Sequence, residues 1–121
     1  MKLLVVDDLE AVGVIVSEIA THSGWNAVYC NQNQNVIEVM QNEQIDVLLT
    51  DFAMPGKNGL EIAADIREAG MSLPIIIFSA MTSQIDMARA NDLRIFKILD
   101  KPLSVRELRR ALSEARAVQA V

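Results

Sequence analysis

Asp7, Asp8, Asp51, Ser79 and Lys101 are the side chains of this sequence whose types and placement suit the handling of a phosphoryl group. Each follows a short apolar run, so each stands where a buried segment surfaces. Three carboxylates brought together repel, and each raises the pKa of the others unless positive charge intervenes. A hard divalent cation with oxygen ligands is the natural remedy, and Mg²⁺ in particular takes one or two carboxylates while keeping waters. Lys101 supplies a second positive charge for a phosphate oxygen, and the Ser79 hydroxyl can donate to another. The transition state of phosphoryl transfer asks mainly for positioning and charge neutralisation. A carboxylate such as Asp51 can act as its nucleophile and become an acyl phosphate.

These residues meet only if the chain folds in one particular way. Five apolar runs recur, at Leu3–Val6, Ala27–Cys30, Ile45–Leu49, Pro74–Phe78 and Ile95–Leu99. Each is too short for an ordinary helix and rich in Val, Ile, Leu or Phe, as strands buried on both faces are. Between them the period turns helical. Val12, Ile15, Val16 and Ile19 share a face, as do Val36, Val39 and Met40; so do Ile62, Ala63, Ile66 and Ala69, and Val105, Leu108, Leu112 and Ala115. The stretch from Ile85 to Ala90 carries the faintest helical pattern. Ser104 with Glu107 reads as a capping box, and Asn35/Glu38 and Asn58/Glu61 have related spacing. Gly24 and Gly70 fall where helices should stop. Five strands alternating with five helices predict an α/β fold with a parallel sheet covered on both faces. Short right-handed crossovers favour the doubly wound, flavodoxin-like order 2-1-3-4-5. Strands one, three, four and five then lie side by side, and their carboxyl ends deliver the acids, the hydroxyl and the ammonium to one rim.

Composition narrows the function classes. The 121 residues suit one domain, 1–121, and 51% apolar content fills one core. A net charge of −5 argues against direct binding of nucleic acid. Cys30 is the only cysteine, which rules out an intrachain disulfide and suits a reducing cytoplasm. Met1-Lys2 runs straight into the first apolar segment, so no leader is expected, and no run approaches the ~20 residues of a membrane span. A cytoplasmic protein without membrane contact is expected.

Asp7-Asp8, the segment Asp51-Phe-Ala-Met-Pro-Gly-Lys-Asn-Gly59, Ser79-Ala80 and Lys101-Pro102, in this order along the whole chain, resemble the signature of response-regulator receiver domains of two-component systems. Singly these motifs are weak; together, at successive strand ends, they are specific. The resemblance implies that Asp51 is the phosphoacceptor and that a histidine kinase or histidine phosphotransfer domain is the donor. It implies Mg²⁺ held directly by Asp8 and Asp51, by Asp7 mainly through water, and by the Ala53 backbone carbonyl. Lys101 would contact the phosphoryl group, and Ser79 would be the switch hydroxyl. A downstream effector domain or protein would read the result, and the Lys101–Pro102 bond would be cis. Two positions depart from the pattern. Ile98 stands where receivers often carry a rotating Tyr or Phe, and Leu93-Arg94-Ile95 replaces the usual Gly-Ala before strand five. Both departures bear on readout rather than on chemistry at Asp51.

Plainer roles exist for several residues. Asp7 and Asp8 can serve as anions at a helix N-terminus, Ser79 as a turn residue, and Pro102 as a loop proline. His22 reads as a solvated residue near the first helix's end, Trp25 as packed at the entry to strand two, and Cys30 as a small core hydrophobe. Arg106, Arg109, Arg110 and Arg116 read as a solvated face. Leu9, Val12, Gly13, Val14, Ile15 and Val16 make the first helix more apolar than one buried stripe needs, which fits either a deep helix or a partner surface. Within the family the phosphodonor docks beside this helix and the loop at Pro102-Leu103. Two rival functions fit less well. A dehalogenase-type aspartate phosphatase needs Asp-x-Asp and a cap domain, and a flavodoxin needs a Ser/Thr/Gly-rich phosphate loop where Asp7-Asp8-Leu9-Glu10 stands.

Overall fold

In the computed structural model, residues 1–31 and 35–119 are described. Five strands alternate with five α-helices: β1 (Lys2–Val6), α1 (Glu10–His22), β2 (Asn26–Cys30), α2 (Val36–Glu43), β3 (Val47–Asp51), α3 (Gly59–Glu68), β4 (Ile75–Ser79), α4 (Met87–Asp92), β5 (Lys97–Asp100) and α5 (Val105–Gln119). A single 3₁₀ turn, Thr82–Gln84, precedes α4. All pairings are parallel, in the expected order β2-β1-β3-β4-β5.

The period-2 geometry of strands divides the core into two layers. Leu3 and Val5 of β1 face α1 and α5 together with Val47, Leu49, Ile76 and Leu108. Leu4 and Val6 face the α2, α3 and α4 side together with Met40, Leu48, Ile66 and Ile77. Cys30 is buried in this second layer, where burial pushes its thiol pKa up to about 11, so it behaves as an inert hydrophobe.

The helix stripes are mostly as expected, with one displacement. On α1 it is Gly13, Val16 and Ala20 that are buried, while Ile15 is 51% exposed. The two small residues let the helix approach the sheet closely, and this turns Ile15 outward. Val105 and Ala69 also lie outside their helices' buried faces. Arg116 departs from the solvated face expected of α5. Its guanidinium lies 4.7 Å from the centroid of the Trp25 ring, a cation–π contact that closes the bottom of this layer.

Helices α1 to α4 end alike. Gly24, Gln44, Gly70 and Arg94 all have positive φ, at 90°, 53°, 84° and 55°. The next residue's N–H then bonds a carbonyl five positions back: Trp25 to Ala20, Ile45 to Met40, Met71 to Ile66 and Ile95 to Ala90. Each is a Schellman closure with an apolar residue just beyond the turn. This explains why the third and fifth strands begin two residues later than expected. Ile45 and Ile95 are apolar, but they still belong to helix endings. The Arg67 guanidinium reinforces this end of the molecule by donating to the carbonyls of Met71, Leu73, Leu93 and Arg94. At the helix starts, Asn58 and Glu61 form a reciprocal capping box, and Asn35 and Ser104 accept from the N–H groups of Glu38 and Glu107.

The closures can be tested in opposite directions. A Cβ at Gly70 would meet nothing within 4 Å, so the cost of Gly70→Ala is conformational alone. It should destabilise the protein by about 1 kcal/mol. Gln44→Gly relieves the same penalty and should stabilise by a similar or smaller amount, with both effects read from urea unfolding midpoints.

Candidate functional site

β1 and β3 are adjacent, and their carboxyl ends bring the acids together. Asp51 is the last residue of β3, and Asp7 follows the last residue of β1. Carboxylate oxygens of Asp7, Asp8 and Asp51 lie within 4.8 Å of one another. Asp7 and Asp51 are buried, and Asp8 is half-buried at the mouth. From the end of β5, Lys101 places its Nζ 3.0 Å from Oδ1 of Asp51.

Ser79 ends β4, one strand over from Asp51, and is 3% exposed. Its Oγ accepts from the Met81 N–H at 3.1 Å, and its carbonyl accepts from the Lys101 N–H at 2.9 Å. Ser79 thus touches both the loop that leads to α4 and the segment that carries the ammonium. Ala53 stands two residues beyond Asp51 in the exposed β3–α3 loop. The Lys101–Pro102 peptide is cis, and Gly56 has φ 85°, as the Pro55-Gly56 turn requires.

Two backbone restraints hold the acids. The Leu9 N–H donates to Oδ1 of Asp7 at 2.9 Å, which fixes one carboxylate against the start of α1. A Cβ at Gly59 would stand 2.9 Å from the Asp51 carbonyl oxygen, so only glycine lets α3 begin against the end of β3. Gly59 lies within the motif visible in the sequence, but its reason is steric and appears only in three dimensions. Tyr29 is a contact that sequence reasoning missed: its hydroxyl donates to the Asp7 carbonyl at 2.8 Å.

Burial pushes the Asp7 carboxyl up to about 6. The Leu9 N–H pulls it down, the Asp51 charge and Asp8 push it up, and Lys101 partly offsets them. Beside these acids a groove of about 310 Å³ runs between α1 and the segment after β5, lined by Leu9, Val12, Val16, Phe78, Lys101, Pro102 and Leu103. Leu9 at its lip is 57% exposed, so part of the apolar excess of α1 faces outward.

The raised pKa of Asp7 makes stability depend on pH. In the metal-free protein Asp7 holds its proton more tightly when folded, so its contribution falls as pH rises from about 4 through about 6. Asp7→Asn mimics the protonated form. It should be more stable than the parent above pH 6, and the gap should close toward pH 4 when urea unfolding is followed in EDTA.

A family model described as the response regulator receiver domain matches residues 3–113. Solved structures share the fold at low identity. A CheY-like receiver domain protein from Methanospirillum hungatei superposes with a TM-score of 0.89 at 18% identity, covering 98% of this chain and 95% of that one. The chemotaxis protein CheY4 of Vibrio cholerae gives 0.86 at 22% identity, covering 94% and 97%. A LuxR-family DNA-binding response regulator from Staphylococcus aureus gives 0.82 at 18%, covering 94% and 97%. The family match spans nearly the whole chain and meets an acidic cluster at the carboxyl rim of a 2-1-3-4-5 sheet. This chain therefore belongs to the response regulator receiver domain family, the phosphoryl-accepting switches of two-component signalling.

Proposed function

We propose that residues 1–121 form one receiver domain in which Asp51 accepts the phosphoryl group from a phosphohistidine. The observation that carries this is the meeting of three carboxylates with Lys101, whose Nζ lies 3.0 Å from Asp51. An Asp51 carboxylate oxygen attacks phosphorus, the P–O bond forms as the P–N bond breaks, and the electron pair leaves with the donor imidazole. Lys101 exchanges part of its contact with Asp51 for a phosphoryl oxygen and so steadies the charge that the transfer delivers.

The donor set suits Mg²⁺: hard oxygens, more than one carboxylate, and a half-exposed edge at Asp8 that leaves room for waters. Asp8, Asp51 and the Ala53 carbonyl would hold the ion, with Asp7 acting mainly through water. When bound, it neutralises the clustered carboxylates and the incoming phosphoryl oxygens. The groove between Leu9 and Leu103 sits beside Asp51 and suits the helix of a histidine kinase or phosphotransfer domain. No helix among the described residues is long and apolar enough to cross a membrane. We place the domain in the cytoplasm, passing its state to a partner protein or an attached effector.

Acetyl phosphate with Mg²⁺ should label the protein once, and hydroxylamine should remove the label. Asp51→Asn should lose it entirely; equal labelling of that variant would overturn the assignment. Asp8→Ala should remain folded yet lose both Mg²⁺ binding, followed by calorimetry, and labelling.

The switch can be tested separately. A phosphoryl group near Ser79 draws its hydroxyl, as donor, inward through a charge-assisted bond, and that movement stretches the bond its Oγ accepts from the Met81 N–H. Ile98, partly buried against the α4 layer, is stiff at χ1 and has no ring to swing. A beryllofluoride mimic should therefore shift NMR signals mainly from Ser79 to Met87, and Ser79→Ala should suppress those shifts. A parent-like response in Ser79→Ala would remove Ser79 from the switch.

A further inference from the structure

Tyr29 sits on β2, the sheet's edge strand, next to β1 and away from the strands that carry Asp51, Ser79 and Lys101. Its hydroxyl nevertheless reaches past the end of β1 and donates to the Asp7 carbonyl at 2.8 Å. The same peptide segment is tied to β2 a second time, through the Asp7 N–H and the Cys30 carbonyl at 3.4 Å. A chain that must turn sharply between two acids is thus held at both its N–H and its C=O by one neighbouring strand.

Room for the ring comes from Gly13. A Cβ there would stand 2.2 Å from Cε1 and 2.4 Å from Cδ1 of Tyr29, so the ring lies directly on the backbone of α1. No other residue type permits that approach. Gly13 sits inside a helix, where glycine costs stability, and its backbone angles do not demand it. The glycine therefore answers a packing need, and the packed group carries a polar tip aimed at the acidic turn. Burial, with the charges of Asp7 and Glu10, raises the Tyr29 pKa above its ordinary value, so the hydroxyl keeps the proton it donates.

We propose that Tyr29, seated on Gly13, is a positioning residue for the metal site: by fixing the Asp7–Asp8 peptide it aims the acidic pair at the place a divalent cation would take. This deepens the reading of Asp7, Asp8 and Asp51 as the Mg²⁺ site and rests on it. Groups that orient metal ligands from outside the coordination shell commonly affect affinity strongly. Tyr29 touches a main-chain carbonyl rather than a ligating atom, so the effect should be that of one hydrogen bond.

Tyr29→Phe keeps the ring on Gly13 and removes only the hydroxyl. Calorimetry with MgCl₂ should show affinity weakened about fivefold, while thermal unfolding in EDTA should fall only by the modest amount that one lost hydrogen bond costs. In the metal-free variant the amide signals of Asp8 and Leu9 should move. Labelling by acetyl phosphate should slow at low Mg²⁺ and recover when Mg²⁺ saturates, since the hydroxyl touches no reacting atom. Gly13→Ala should displace the ring and lower both stability and affinity. Adding Tyr29→Leu to it should restore stability without restoring affinity. Parent-like Mg²⁺ affinity in Tyr29→Phe, or affinity that returns with stability in the double variant, would overturn the proposal. If Asp8→Asn loses Mg²⁺ while Tyr29→Phe binds as the parent does, Tyr29 alone is dismissed. A parent that binds no Mg²⁺ would dismiss the metal site together with it.

Discussion

Mutual repulsion among Asp7, Asp8 and Asp51 is the force this fold must contain, with carboxylate oxygens held within 4.8 Å of one another. Rigidity makes this possible. β1, β3 and β4 are almost wholly buried, so the strand ends cannot splay to relieve the charge. Lys101 answers part of it from β5, two strands away from Asp51 in the sheet. Burial first, and the Asp51 charge as a smaller part, push the Asp7 carboxyl up to about 6. A site balanced in this way rewards any added cation, and a ligand that binds only the folded state stabilises it in return.

The two rims of the sheet are built on different terms. At the amino rim, four helices close with the same backbone motif, and Arg67 and the Arg116–Trp25 pair lock the ends. At the carboxyl rim main-chain bonds such as Lys101 to Ser79 are joined by side-chain contacts: Asn58 and Glu61 at the start of α3, the Asp7 carboxylate on Leu9, and Ser79 on Met81. Main-chain closures are indifferent to chemistry, so the amino rim can be fixed once. Side-chain contacts can be exchanged for a ligand's, and that lets the carboxyl rim respond.

The same division governs what the sequence disclosed. Strand order and the meeting of Asp7, Asp8, Asp51 and Lys101 were legible, because short apolar runs and the residues after them fix both. Strand starts were less so. Ile45 and Ile95 look like strand residues but finish helices, and the signal that would have shown it, a glycine at the turn, is replaced by Gln44 and Arg94. Gly13 and Ala20 misled the reading of α1 for a related reason. Closest approach to a sheet selects small residues, which a hydrophobic pattern undercounts. Tyr29 was invisible because a hydrogen bond to a backbone carbonyl 22 positions away leaves no pattern along the chain.

The response segment follows from how little holds it. α4 has six residues, below the length at which a helix sustains itself in water, so its order comes from packing. Within it only Ala90 is buried, with Ile85 and Leu93 anchoring its flanks, while Met81 and Met87 are each 55% exposed. Asp86 caps its start through the Arg89 N–H, and a positive-φ Arg94 follows its end. Segments with so few buried contacts open at lower free energy than the strands beneath them. Ser79 joins this segment to the rigid site through one exchangeable bond to Met81. A charge placed on Asp51 therefore need not deform the sheet to be felt. It has only to draw one hydroxyl toward itself, and the segment that leads to α4 is bonded to that hydroxyl two residues on, at Met81.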